Sequence, residues 1–233
     1  MSFADKIAQV KANIAAAARE AGRDPGEITL VAATKTQSDD TIRAAIAAGI
    51  RVCGENRVQE MTAHLDADAY AGAELHFIGH LQTNKVKYVV GRVDVIESVD
   101  SPRLLDAIEK EAAKLALRQD VLIQVNIGGE ESKSGVAPEG LEELARYARF
   151  LPHVRLRGLM AIPPATTDGG SRIFFHKMRQ LYVDIKRKME DNETTIDCLS
   201  MGMSGDYMDA VREGATHVRV GTALFGARPP MDT

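Results

Sequence analysis

A chain of 233 residues, 45% hydrophobic and 27% charged, has apolar material for a sizeable core and enough charge to stay in water. Its formal charge of −4 with acids and bases interspersed, the absence of Trp and the 5% of aromatics exclude a basic stripe or stacking surface for nucleic acid. The opening Met1-Ser2-Phe3-Ala4-Asp5-Lys6 lacks the apolar run of a secretory leader, and no stretch reaches the roughly 18 apolar residues of a membrane span.

Cys53 and Cys198 sit apart in strand-like runs, neither at metal-ligand spacing nor in a disulfide framework. A cytoplasmic protein with reduced core cysteines and no metal site is expected. In chain order, Ile7, Val10, Ile14, Ala17, Ala18 and Ala21 recur at helical spacing, and Gly22 stops that helix. Ile28 to Thr34 then reads as a strand, and Ser38 caps a helix carrying Ile42, Ala45 and Ile46. Arg51 to Gly54 is a short strand before a helix through Val58 and Met61. Strands at Leu75–Gly79 and Val93–Val99 flank a helix around Lys85–Val90. Pro102 opens a helix at Ser101-Pro102, where a missing N–H costs no bond.

Val121 to Ile127 is the fifth strand, followed by a helix after Pro138 with Leu141, Leu144, Ala145 and Ala148 inward. Val154 to Ile162 is the sixth, and a helix from Ser171 aligns Phe174, Met178, Leu181, Ile185 and Met189. Ile196–Leu199 and His217–Val220 are the seventh and eighth, with a helix over Ser204–Glu213 between them. Eight strands alternating with helices, with no linker and no composition shift, predict one α/β domain over residues 1–233. Eight strands close such a sheet into a single (β/α)8 TIM barrel, with an extra N-terminal helix over one end or side. An open doubly wound sheet is the alternative.

In a barrel the chemistry collects where strands end. Alternation places Thr29, Val31, Ala33 and Lys35 on one face of the first strand, setting Lys35 at the barrel mouth. A lysine partly desolvated there can lose its proton and condense with a carbonyl; a solvated lysine at a strand end is the plainer reading. Val218-Arg219-Val220-Gly221-Thr222 ends the eighth strand with a glycine and a short helix, a setting for an anion or a simple turn. Ser200-Met201-Gly202-Met203-Ser204-Gly205-Asp206 has two hydroxyls that could meet a phosphate, while Ser204 or Asp206 could serve as helix cap. Arg219 alternates away from its flanking valines and points inward, needing an acceptor: an aromatic nitrogen or an acid from another strand.

With Gly54-Glu55-Asn56-Arg57, His76-Phe77-Ile78-Gly79-His80, Ser132-Lys133-Ser134-Gly135 and Gly158-Leu159-Met160-Ala161-Ile162, these stretches make a chain that resembles the pyridoxal 5′-phosphate (PLP) homeostasis family over almost its whole length. The resemblance implies a barrel like the N-terminal domain of alanine racemase, with PLP as a Schiff base on Lys35. It implies a phosphate site at Ser200, Ser204, Gly221 and Thr222, Arg219 beside the ring nitrogen, Asn56 near the ring, and Met160 and Met203 as walls. It further implies an intracellular carrier or buffer of PLP with no established catalysis.

A racemase needs acid/base groups on both faces of its substrate, the second usually a tyrosine from another domain, and no sequence remains after Thr233 for one. No catalytic residue is therefore assigned. A weak PLP racemase or lyase with His80 or Tyr207 as second base, and a PLP-free aldolase, stay as alternatives. The expected partners are PLP and PLP-dependent apoenzymes, with no nucleic acid and no membrane, and the expected state is a monomer. Lys133, in its Gly/Ser-rich loop, is a candidate for a second contact with PLP or an apoenzyme, or simply a solvated lysine.

Overall fold

A computed structural model describes residues 3–130, 133–164, 170–189 and 195–226. Eight parallel strands close into a barrel in chain order, the first pairing with the second and the eighth. They are β1 (Thr29–Ala33), β2 (Val52–Glu55), β3 (Glu74–Phe77), β4 (Val95–Val99), β5 (Gln119–Val125), β6 (Val154–Ala161), β7 (Cys198–Ser200) and β8 (His217–Val220). The helices are α1 (Phe3–Glu20), α2 (Asp39–Ala47), α3 (Val58–Asp66), α4 (Pro102–Lys114), α5 (Leu141–Arg149), α6 (Arg172–Met189), α7 (Tyr207–Arg212) and α8 (Thr222–Phe225).

Period-two alternation sorts the strand residues into two cores. Leu30, Ala32, Val218 and Val220 join the large apolar layer between sheet and helices, to which α2 adds Ile42 and α4 adds Leu104, Leu105 and Ile108. A smaller plug of Val95, Leu122, Met160 and Cys198 fills the barrel interior. Ser38 caps α2 through its hydroxyl, which accepts from Thr41 N–H at 3.3 Å.

The predicted helix near Lys85 is instead a 3-10 turn over Thr83–Tyr88. The extra helix α1 lies along the side of the barrel, over α7 and α8. Phe3 stacks on Phe225 with ring centroids 5.4 Å apart, and Asn13 Nδ2 donates to Tyr207 Oη at 2.9 Å.

A bulge between β5 and β6 makes Arg157 the extra residue, between Leu156 opposite Val121 and Gly158 opposite Leu122. Only glycine fits at 158, because φ is +154° and a Cβ would lie 1.8 Å from the Cys198 carbonyl oxygen. Arg157 donates to Asp120 at 2.7 Å and, bidentately, to Asp197 at 2.8 and 2.6 Å, while Arg155 also grips Asp120. This ionic lattice sits at the N-terminal end of the barrel, opposite the end that carries Lys35.

Candidate functional site

At the C-terminal end a cavity of about 260 Å³ is lined by Lys35, Asn56, Met203, Ser204, Arg219, Gly221 and Thr222, with Ala33, Ile78, Ile162 and Gly205 completing the wall. Lys35 and Arg219 are the basic groups of that lining, and no carboxylate stands among the described lining residues. Two basic side chains with no carboxylate among the described lining residues favour an anionic ligand.

Lys35 stands two residues beyond β1, where the chain turns sharply. Thr36 has φ +63°, the left-handed region, which for a β-branched residue costs on the order of 1–3 kcal/mol. Its N–H donates to Glu60 Oε2 at 3.1 Å, and Arg57 fixes the other oxygen of Glu60 at 3.0 Å. On the other side of Lys35, buried Thr34 donates to Glu55 Oε1 at 2.6 Å. Lys35 thus projects from a turn clamped on both sides.

Ser204 ties the two expected anion loops together. Its Oγ accepts from Gly221 N–H at 3.1 Å and Ala223 N–H at 3.3 Å, which leaves its own proton to be donated. The N–H groups of Gly221, expected at an anion site, and of Ala223 are thus committed to Ser204. Neither Ser204 nor Asp206 caps α7 through its side chain; Asp206 Oδ1 accepts from Met203 N–H at 2.7 Å and holds the loop. A Cβ on Gly221 would meet nothing closer than Ala33 at 3.4 Å, and one on Gly205 nothing within 4 Å. Neither has a positive φ, so the protein's own packing does not demand glycine there. Gly205 faces open space. Asn56 Oδ1 is buried with no hydrogen-bond partner among the described residues.

Two expected residues lie below the cavity. Met160 belongs to the interior plug, packed with Val95, Leu122 and Cys198, and is not a wall residue. Ser200 is fully buried: its hydroxyl accepts from Arg219 Nη1 at 2.6 Å and donates to Glu97 Oε2 at 2.6 Å, so it is not free for a phosphate. Arg219 points inward as alternation requires, its Nη2 donating to the Ala161 carbonyl at 2.8 Å and its Nη1 lying 3.7 Å from Glu97. The acid from another strand is therefore real, and it is Glu97.

Glu97 escaped the sequence reading although an acid within the apolar run Val95–Val99 was a usable signal. Its other oxygen lies 2.7 Å from His76 Nδ1. Burial raises the Glu97 carboxyl, but the His76 hydrogen bond, the charges of His76 and Arg219, and the Ser200 hydrogen bond outweigh it and bring it down to about 2. An ionised carboxylate only accepts, so His76 Nδ1 carries the proton. His76 stacks on His217, centroids 5.9 Å apart, and burial lowers His217 to about 4.

The remaining candidates lie outside the lining. Tyr207 is buried with its hydroxyl engaged by Asn13 of α1. His80 Nδ1 sits 3.3 Å from Ser134 Oγ and 3.9 Å from Asp100, largely in solvent. Lys133 pairs with Glu130 at 2.5 Å and donates to the Pro163 carbonyl at 3.4 Å. Burial drives the thiol of Cys53 up to about 12 and that of Cys198 well above its ordinary value, as inert core cysteines require. Among the described residues no group of three or more His, Cys, Asp or Glu is placed to hold a metal ion. No helix there is long and apolar enough to cross a membrane.

The model of the alanine racemase N-terminal domain matches residues 6–229. A pyridoxal phosphate homeostasis protein of Aquifex aeolicus is 44% identical over 98% of this chain and 99% of its own length. The chain belongs to the pyridoxal phosphate homeostasis protein family. The Escherichia coli K12 member is 42% identical over 97% of both chains. Among solved structures, PipY of Synechococcus elongatus with PLP bound superposes with a TM-score of 0.81 at 32% identity, covering 97% of this chain and all of PipY. A Clostridium difficile alanine racemase shares the fold at 17% identity and a TM-score of 0.73, 98% of this chain covering 58% of the racemase.

Proposed function

We propose that the chain binds PLP covalently through Lys35 and serves as a cytoplasmic carrier or buffer of the cofactor. The observation that carries this is the juxtaposition of Lys35 and Arg219 in one cavity with no carboxylate among its described lining residues and open space at Gly205. When bound, PLP supplies an aldehyde that condenses with a lysine amine and an anionic ester that needs donors. Ser204 and Thr222 offer hydroxyls for the ester, Gly221 the space, Arg219 a donor for the ring nitrogen, Asn56 a polar contact and Met203 a wall. The PLP-bound relative PipY supports this reading.

The carrier reading over an enzyme rests on the lining. Apart from Lys35 and Arg219 it has no acid/base side chain among the described residues, and Arg219 stays protonated at any working pH. Tyr207 and His80, the candidates for a second base, are engaged elsewhere. The family names of the relatives point the same way. PLP-dependent apoenzymes are the proposed recipients, and the proposed state is a monomer.

The test is a spectrum of the purified protein with PLP before and after borohydride reduction, with the modified peptide mapped by mass. The expected result is a visible band that reduction bleaches, an adduct on Lys35, and loss of both in Lys35→Ala. A colourless protein, or an adduct mapped to another lysine, overturns the reading. Turnover of a panel of amino acids by the loaded protein would replace the carrier with an enzyme.

A further inference from the structure

Beneath the cavity runs a buried polar column of the barrel's own making. Arg219 reaches Ser200 at 2.6 Å, Ser200 reaches Glu97 at 2.6 Å, and Glu97 reaches His76 at 2.7 Å. All four residues are 4% exposed or less. Arg219 is the one member that lines the cavity; the others touch it only through Arg219.

We infer that Glu97 is a positioning residue that sets the charge of the ligand cavity, by compensating the Arg219 guanidinium from below and so tuning the acidity of the Lys35 nitrogen above. The inference rests on the PLP reading for its consequences with cofactor, but its effect on Lys35 exists in the cofactor-free chain as well. Arg219 keeps its charge, and the carboxylate within 4 Å of it makes the pair net neutral. Without Glu97 the Arg219 guanidinium would stand uncompensated in the cavity that Lys35 also lines, and a positive charge disfavours the protonated form of a neighbouring amine. The column also dictates direction. Ser200 donates to Glu97 and therefore accepts from Arg219, which pins one arm of the guanidinium, while the Ala161 carbonyl pins the other.

The charged and titratable neighbours are few enough to name. Glu97 faces Arg219 and His217 from β8, His76 from β3 and Cys198 from β7. Arg219 additionally feels Asp206 from the loop after β7. Of these, Glu97 is the carboxylate that shares a hydrogen-bond relay with Arg219.

Two readouts test the inference. In the cofactor-free protein, the pH dependence of Lys35 labelling by acetic anhydride, mapped by mass, reports the acidity of its amine. In the PLP-loaded protein, the pH midpoint of the visible band reports the lysine-linked nitrogen. Glu97→Gln is expected to lower both midpoints by about one pH unit. Glu97→Gln with Arg219→Gln removes both charges and is expected to return the labelling midpoint close to the wild-type value.

An E97Q protein with wild-type circular dichroism and unchanged midpoints overturns the inference. If E97Q alone does not fold, the double variant decides: a labelling midpoint near wild type supports compensation, and a shifted one overturns it. A wild-type protein that never colours with PLP would sink the cofactor reading instead, and the labelling experiment would still judge Glu97.

Discussion

Glu55 and Glu97 are both wholly buried glutamates of one barrel, yet their surroundings push their carboxyls in opposite directions. Glu97 points into the barrel, where His76, Ser200 and Arg219 supply two positively polarised donors and a full cation, and its carboxyl falls to about 2. Glu55 points outward into the seam between sheet and helices. There it receives neutral hydroxyls, Thr34 at 2.6 Å and Tyr70 at 3.0 Å, while Oε2 has no partner among the described residues. Burial outweighs those two hydrogen bonds and raises the Glu55 carboxyl. Burial by itself says little about a carboxylate. The charge of its donors decides whether it ionises.

The two sites also serve different parts of the cavity. Glu97 acts on Arg219, and through it on the cavity's charge. Glu55 anchors Thr34, the residue before Lys35, and so acts on where the β1 chain end sits. The first is electrostatic and the second is mechanical.

The strongest way to break this contrast is to remove the cation. Arg219→Met leaves a buried carboxylate without its compensating charge, and should cost about 3 kcal/mol in a urea melt. Glu97→Leu with Arg219→Leu should recover most of that loss, because no charge is then left stranded. If Arg219→Met proves neutral, Glu97 is not paired in the way its hydrogen bonds indicate.

A smaller effect is expected from Tyr70→Phe, which removes one hydroxyl from Glu55 and should cost about 1 kcal/mol in the same melt. The change should leave the midpoint of Lys35 labelling untouched, since no charge moves.

The smallest effect is the most diagnostic. A carboxyl whose folded pKa is raised contributes stability that is full below its ordinary value and is lost as pH rises through the raised one. Glu55→Gln should therefore melt like the wild type in acid and progressively above it as pH rises toward neutrality and beyond. Glu97 has the opposite sign. Its contribution is present above the ordinary carboxylate range and disappears as pH falls toward about 2. A Glu55→Gln difference that is flat with pH would show that the Glu55 carboxyl is not raised by folding.

Much of this barrel is visible in the chain itself. Strand alternation and helical spacing place all eight strands within a few residues, and the inward aim of Arg219 follows from the valines on either side of it. Such features depend on residues two to four apart, which any short window contains. The misjudged pieces share a different property. Thr83–Tyr88 is too short a segment for periodicity to separate a 3-10 turn from a helix. Helix α7 starts at Tyr207 rather than Ser204, because Ser204 is drawn away to the N–H groups of Gly221 and Ala223.

The cavity shows the same division. Local order by itself put Lys35, Ser204, Arg219, Gly221 and Thr222 at strand ends, and closure of the barrel brings them round one cavity. Tertiary structure alone decided which hydroxyl stays available. Ser200 meets Glu97, a partner 103 residues away in the chain, and the two come within 2.6 Å only once β4 and β7 face each other across the barrel. No local pattern encodes such a pairing, because its energy depends on a low-dielectric interior that exists only after the strands have closed.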